Sequence, residues 1–287
     1  MTAWSERHRQ MLRVMGLRVW GSEVQTPAAP EIGSKPMLAA GALVSTKAVA
    51  DSGPTKMPTR PTSSLEAMPP KQSIASSATP VAGAGLAWAP LRAAVADCRA
   101  CPLCEGRTQT VFGSGHQQAH WLIVGDAPGA EEDAAGEPFV GAAGQLMDNM
   151  LAALGLSRQA DGDPGQRAFL VNAVKCRPPP SRSPQAQDIQ LCAPFLQQQI
   201  ELVQPKVIVA MGRLAAQALL SVDAPLGQLR GQVHTVGGKP LVVTYHPSSL
   251  LRSPTDKSKA WADLCLAAGL IEKRVQLGVD PSSPSKN

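Results

Sequence analysis

Three polar side chains stand at or just after the ends of short apolar runs. Asp126 follows Trp121-Leu122-Ile123-Val124-Gly125, Asn172 lies in Ala168-Phe169-Leu170-Val171-Asn172-Ala173-Val174, and His246 follows Leu241-Val242-Val243-Thr244-Tyr245. A carboxylate can orient water or balance a cation, an amide both donates and accepts, and an imidazole can donate to a developing anion. Phe139, one of four Phe in the chain, offers a flat apolar face within the Gly- and Pro-rich stretch Gly125-Asp126-Ala127-Pro128-Gly129 to Pro138-Phe139-Val140-Gly141. Its glycines let backbone come close to a ligand. Taken singly, an Asn at a turn or a His before Pro is an ordinary structural residue; together at three strand ends they suggest one site.

The cysteines form a second set. In Cys98-Arg99-Ala100-Cys101-Pro102-Leu103-Cys104 the two-residue spacing lets thiolates face one metal centre while the backbone turns around it. Cys176 and Cys192 follow, and Cys265 completes the six. No uninterrupted apolar core marks a secretory signal, so metal ligation in a reducing, cytoplasmic compartment is a better reading than disulfides. Zinc and iron–sulfur centres both use this spacing, and the local motif does not choose between them.

The elements that must position these residues are legible as strands alternating with helical patterns. Beside the runs at 121–124, 168–174 and 241–245, Lys206 to Met211 reads as another strand. Helices are expected at 89–97, 145–154, 184–203, 213–220 and 258–273, the last packing Trp261, Leu264, Cys265 and Ile271. Short continuous apolar strands belong to a sheet covered on both faces. The expected fold class is therefore α/β, with a central four-stranded, mostly parallel sheet whose carboxyl ends form the ligand edge. Pro178, Pro179 and Pro180 forbid helix and central strand and mark a stiff exposed loop.

Composition divides the rest. Residues 25–87 are rich in Pro, Ala, Ser, Thr and Gly without an apolar period, as a disordered linker would be. Residues 1–24 combine Arg7, Arg9, Arg13 and Arg18 with Trp4, Met11, Leu12, Met15, Leu17 and Trp20, an amphipathic arm that could engage a protein partner. The folded domain is expected over 88–277, as a monomer, with a disordered tail at 278–287. The net charge of +5 is compatible with a polyanionic partner but weak evidence alone. No apolar run is long enough for a membrane span.

Four ordered blocks carry a family resemblance: Gly125-Asp126-Ala127-Pro128-Gly129, Pro138-Phe139-Val140-Gly141, Asn172-Ala173-Val174-Lys175-Cys176-Arg177-Pro178-Pro179 and His246-Pro247-Ser248-Ser249-Leu250-Leu251-Arg252. With the cysteine pattern, they make the stretch from about Ala94 to Leu270 resemble the family 4, iron–sulfur uracil-DNA glycosylases of the uracil-DNA glycosylase superfamily. The resemblance implies a three-layer α/β/α fold, uracil-containing DNA as partner and hydrolysis of the N-glycosidic bond to leave an abasic site in base excision repair. It assigns catalytic roles to Asp126 and His246 and substrate binding to Phe139, Asn172, Glu132, Gly125 and Ala127. It also makes Cys98, Cys101, Cys176 and Cys192 the ligands of a [4Fe–4S] cluster, with Cys104 not required.

Asn172 would accept from uracil N3–H and donate to O4, where cytosine presents the opposite pattern. Glu132 is expected near uracil C5, excluding thymine. Leu250 is expected to fill the gap left by the flipped nucleotide, and Arg252, Arg177, Arg182 and Lys175 to meet phosphates. Asp126 stands where the family more often has Glu, and superfamily relatives with a catalytic Asp carry it at the position of Ala127. This departure keeps a second reading in view, a non-catalytic iron–sulfur DNA-binding or damage-sensing protein, and the cysteine spacing leaves a third, a zinc-stapled α/β binding protein with no nucleic-acid role.

Overall fold

The computed structural model describes residues 85–276. The arm at 1–24, the tail at 278–287 and all of the 25–87 linker except its last three residues lie outside the described residues. The described chain begins against the domain, where the Gly85 amide donates to Gln198 Oε1 at 2.6 Å.

The sheet has six strands, not the four expected: β1 (Ser114–Gly115), β2 (Trp121–Gly125), β3 (Ala168–Asn172), β4 (Val207–Met211), β5 (Val233–Val236) and β6 (Lys239–Thr244). Their order is β1-β3-β2-β4-β6-β5. The four expected strands are the parallel centre, and an antiparallel strand flanks each side. Both additions escape a pattern search for a physical reason. β1 is two residues long, and β5 is half-exposed, alternating on one covered face instead of forming an apolar run.

Helices cover both faces. The described helices are α1 (Trp88–Asp97), α2 (Ala130–Ala135), α3 (Gly141–Ala153), α4 (Ala186–Val203), α5 (Arg213–Leu220), α6 (Leu226–Leu229), α7 (Pro247–Arg252) and α8 (Lys257–Gln276). Along β2 every residue is buried, yet alternate side chains enter different cores. Trp121 and Ile123 pack with Met147, Met150 and Leu151 of α3 and with Trp261 and Leu264 of α8. Leu122 and Val124 pack with Leu196 and Val203 of α4 and with Ala215 and Ala216 of α5. A third apolar cluster joins Leu91 and Val95 of α1 to Val174, Ile189, Cys192 and Phe195. Among the described residues no helix is long and apolar enough to cross a membrane.

The end of β6 is anchored by a buried polar group. Thr244 Oγ1 donates to Asp263 Oδ2 at 2.9 Å, and Arg230 donates to both Asp263 oxygens at 2.9 and 3.1 Å. This ties the strand that delivers His246 to α8, with the Arg230 guanidinium 5.5 Å from the centre of the Tyr245 ring.

Helix α7 corrects one expectation. Leu250, expected to enter DNA, is fully buried in the core between α3 and α8, whereas the next residue, Leu251, is 44% exposed. Successive residues on a helix diverge by about 100°, so one faces the core while its neighbour faces out. Leu250→Ala should therefore destabilise the domain by about 2–5 kcal/mol, the range for emptying a buried leucine site. Leu251→Ala should stay within about 0.5 kcal/mol of the parent. Urea unfolding of both variants checks the pair.

Candidate functional site

The parallel strands bring the three polar residues to one sheet edge. In the β2–β3 register Gly125 stands opposite Asn172, and the Ala173 amide donates to the carbonyls of Gly125 (2.8 Å) and Asp126 (3.0 Å). Across the sheet, Met211 stands opposite Thr244, and the Gly212 amide donates to the Thr244 carbonyl at 2.9 Å. The chain then turns through Tyr245 into His246, which caps the N-terminus of α7.

Phe139 covers this edge. Its ring stacks on the His246 imidazole with centroids 5.4 Å apart and planes 19° from parallel. It also lies so close over Gly125 that a Cβ there would come within 2.7 Å of the ring. Phe139 adopts φ of +53°, a left-handed backbone uncommon for a bulky residue. Two side chains hold it there. Glu132 accepts from the Phe139 amide at 2.5 Å and from the Gly129 amide at 2.7 Å. Arg158 donates to the carbonyls of Pro138 (3.2 Å), Phe139 (3.0 Å) and Gly144 (3.3 Å) while pairing with Asp148 at 2.6 Å.

Glu132, expected beside uracil C5, here clamps the Phe139 backbone. Arg158 belongs to no periodic pattern and three of its four acceptors are backbone carbonyls, so nothing in the sequence singles it out.

Three polar atoms at this edge bond to nothing among the described residues. Both amide atoms of Asn172, itself fully buried, and Nε2 of His246 are buried without a hydrogen-bond partner in the described structure. Such atoms cost stability unless a ligand satisfies them. The Ser248 amide donates to His246 Nδ1 at 3.3 Å, with Ser248 Oγ 2.8 Å away, so the proton of the neutral ring resides on Nε2. Burial, aided by the charge of Arg252, lowers the His246 pKa to about 4. Two donors and an acceptor are therefore set in place by the fold.

Asp126 is placed differently. Its Oδ1 accepts from the Ala215 amide at 2.9 Å, and a Cβ on Gly212 would lie 2.2 Å from Oδ2, so the carboxylate sits on the turn that begins α5. Burial raises its pKa to about 6, against hydrogen bonds from the amides of Ala215 and Leu214. It is an anion at neutral pH, held by a helix N-terminus. Ala127 packs against the cysteine-bearing cluster instead of against the Phe139 ring.

The four cysteines at 98, 101, 176 and 192 line one small cavity with Val95, Ala100, Lys175, Leu191 and Phe195; Cys104 is absent from it. Among the described residues no three Cys, His, Asp or Glu side chains already close on a single metal ion. Burial pushes the Cys101 thiol up to about 11 and Cys192 up to about 12. Burial also raises Cys176, opposed by Arg107, whose Nη1 donates to its Sγ at 3.0 Å. A soft-ligand set in an apolar wall, with a guanidinium on one sulfur, fits a thiolate-bound metal group that offsets the cost of ionising these thiols.

The basic residues separate. Arg252 is exposed beside α7 and Arg177 is partly exposed. Arg182 pairs with buried Asp188 at 2.6 Å. Lys175 is corrected outright: at 2% exposure it donates inward to the Asn172 carbonyl (2.8 Å) and Gln199 Oε1 (2.6 Å) and cannot meet a phosphate.

The chain is similar in sequence to known proteins. The model of the uracil DNA glycosylase superfamily matches residues 112–265. The type-4 uracil-DNA glycosylase of Pyrobaculum aerophilum is 39% identical over 61% of this chain and 90% of its own length. That of Archaeoglobus fulgidus is 38% identical over 63% of this chain and 91% of its own length, and that of Thermotoga maritima 38% over 57% and 82%.

The His246 environment generates a pH prediction. The folded pKa of about 4 lies below the ordinary value of 6.5, so the unfolded chain binds the proton more readily between them. The contribution of neutral His246 is complete above pH 6.5 and is lost as pH falls toward about 4, on the order of 3 kcal/mol in all. Urea unfolding at stepped pH should show His246→Asn losing less stability than the parent across that window.

Proposed function

The chain belongs to the type-4 uracil-DNA glycosylases, and from that premise we propose that Asn172, His246 and Phe139 form the pocket for a flipped uracil. The protein is a DNA-repair glycosylase that excises uracil. A single observation carries the assignment of the pocket: the unpartnered donor and acceptor of Asn172 and the unpartnered Nε2–H of His246. They match uracil O4, N3–H and O2 in type and number.

On this reading the base leaves the stack and lies against Phe139. Asn172 Oδ1 accepts from N3–H while Nδ2 donates to O4; cytosine would oppose a donor to Nδ2 and an acceptor to Oδ1. As the glycosidic bond lengthens, the base gains negative charge, and His246 Nε2–H donates to O2. Its pKa of about 4 makes the ring a neutral donor at physiological pH, and the Ser248 amide keeps the proton on Nε2. The C–N bond breaks with its electron pair leaving on uracil, water adds to the cation-like sugar carbon, and the proton that water releases passes to solvent, from which the departing uracil anion is protonated. Asp126, bound to the Ala215 amide, acts as a fixed negative charge favouring that cation, in preference to a mobile general base.

Leu251, exposed beside Arg252 on α7, takes the gap-filling role in the duplex, and Arg252 and Arg177 supply phosphate contacts. Cys98, Cys101, Cys176 and Cys192 would hold a [4Fe–4S] cluster. When bound, the cluster serves as a structural cross-link, since hydrolysis transfers no electron. It would brace the Pro178–Pro180 loop against α1 and α4, where proline prevents strand pairing.

A single-uracil oligonucleotide treated with the protein and then with alkali should be cut at the uracil. Tight binding with intact DNA at high protein concentration would instead favour a damage sensor. Because the Asn172 side chain bonds to nothing in the fold, Asn172→Ala should lower kcat by about 10²–10³-fold without lowering the unfolding midpoint. Full activity in that variant would place uracil elsewhere. Leu251→Ala should lose activity on duplex DNA more than on single strands, measured as a ratio of the two rates.

A further inference from the structure

Lys175 is the only buried cation among the described residues. Its Nζ donates to the carbonyl of Asn172 at 2.8 Å and to Gln199 Oε1 at 2.6 Å. Gln199, fully buried, is in turn fixed by donating from Nε2 to the Phe112 carbonyl at 2.8 Å. Both acceptors of the ammonium are neutral, and none of the ion pairs among the described residues includes it. A buried ammonium with only neutral partners either gives up its proton or is stabilised by a nearby anion.

Lys175 also belongs to the wall of the cysteine cavity. It lines that cavity with Cys98, Cys101, Cys176 and Cys192, and it immediately precedes Cys176 in the chain. Four thiolates outweigh the positive charge of an iron–sulfide core, so a cluster held there is a net anion. Lys175 is thus part of the wall of the cluster site, while its ammonium holds the backbone of Asn172. The turn from Asn172 to Lys175 is closed by the Lys175–Asn172 hydrogen bond itself and pinned further by the Val111 amide, which donates to the Lys175 carbonyl at 2.8 Å.

We propose that Lys175 is a positioning residue that couples the cluster to uracil recognition. Its charge is balanced by the thiolate-bound cluster, and its hydrogen bond to the Asn172 carbonyl sets the orientation of the Asn172 amide. The inference rests on the cluster reading given above. It assigns Lys175 no contact with base, sugar or phosphate. Removing the ammonium should disturb both sides at once: the anionic cluster loses a nearby cation, which makes it harder to reduce, and Asn172 loses the tie that aims it.

The test uses the full-length, anaerobically purified protein and Lys175→Met, Lys175→Gln and Lys175→Arg. Iron and sulfide are assayed first, then the cluster reduction potential. Affinity is then compared for an oligonucleotide carrying a non-cleavable 2′-fluoro deoxyuridine and for the matching thymidine oligonucleotide. Lys175→Met is expected to keep thymidine-DNA affinity, to lower the reduction potential and to cut the preference for uracil by about tenfold, the effect of weakening one buried hydrogen-bonded contact. Lys175→Arg should restore the potential toward that of the parent. Should the Met variant not fold, Lys175→Gln, which keeps a donor but removes the charge, carries the same comparison against Lys175→Arg. A neutral variant with parental potential and parental uracil preference overturns the coupling. A parent protein lacking iron and sulfide overturns the cluster reading itself, which is a separate failure.

Discussion

Everything in the domain is arranged around buried hydrogen-bonding capacity that the fold does not use. Asn172 has no exposed surface, and both its amide atoms, like Nε2 of His246, have no partner in the described structure. A chain selected only for stability would fill those positions with apolar groups or bond them internally. Keeping them open requires that the backbone beneath be unusually well determined. Asn172 ends a strand paired in register with β2, and His246 follows a strand tied to α8 through the Thr244–Asp263–Arg230 group.

The same logic explains how strain is tolerated at Phe139. A left-handed φ at a bulky residue costs on the order of 1–3 kcal/mol and persists only where surroundings over-determine it. Glu132 takes the amide on one side of that residue and Arg158 takes the carbonyl on the other. A ring held this way has little side-chain freedom left to lose on contact with a ligand. Gly125 makes the approach possible, since any Cβ there would collide with the ring.

Beyond the carboxyl end of β3, order is imposed by a different means. The Pro178–Pro180 segment can offer no ladder of hydrogen bonds, and the cysteines that flank it face those of the 98–101 turn across one cavity. Arg107 donates to the Cys176 sulfur, and Lys175, in the wall of the same cavity, donates to the Asn172 carbonyl. Asn172 and the cysteine cavity are therefore linked through one residue, three positions after Asn172 and adjacent to Cys176.

The sequence alone determined the parallel strands, their helices and the edge on which Asp126, Asn172 and His246 meet, because hydrophobic periodicity and strand-end position are local properties. It could not determine direction. Leu250 and Leu251 are chemically identical neighbours, and only the packing of α7 against α3 and α8 decides which is core and which is surface. Lys175 reads as one more basic residue beside a loop until the tertiary structure turns it inward between Gln199 and Asn172. Glu132, Arg158 and Asp126 act on backbone amides and carbonyls, groups that every residue carries and that leave no mark in a sequence. Residue type announces which chemistry is available; the three-dimensional placement of the backbone around it decides where that chemistry is spent.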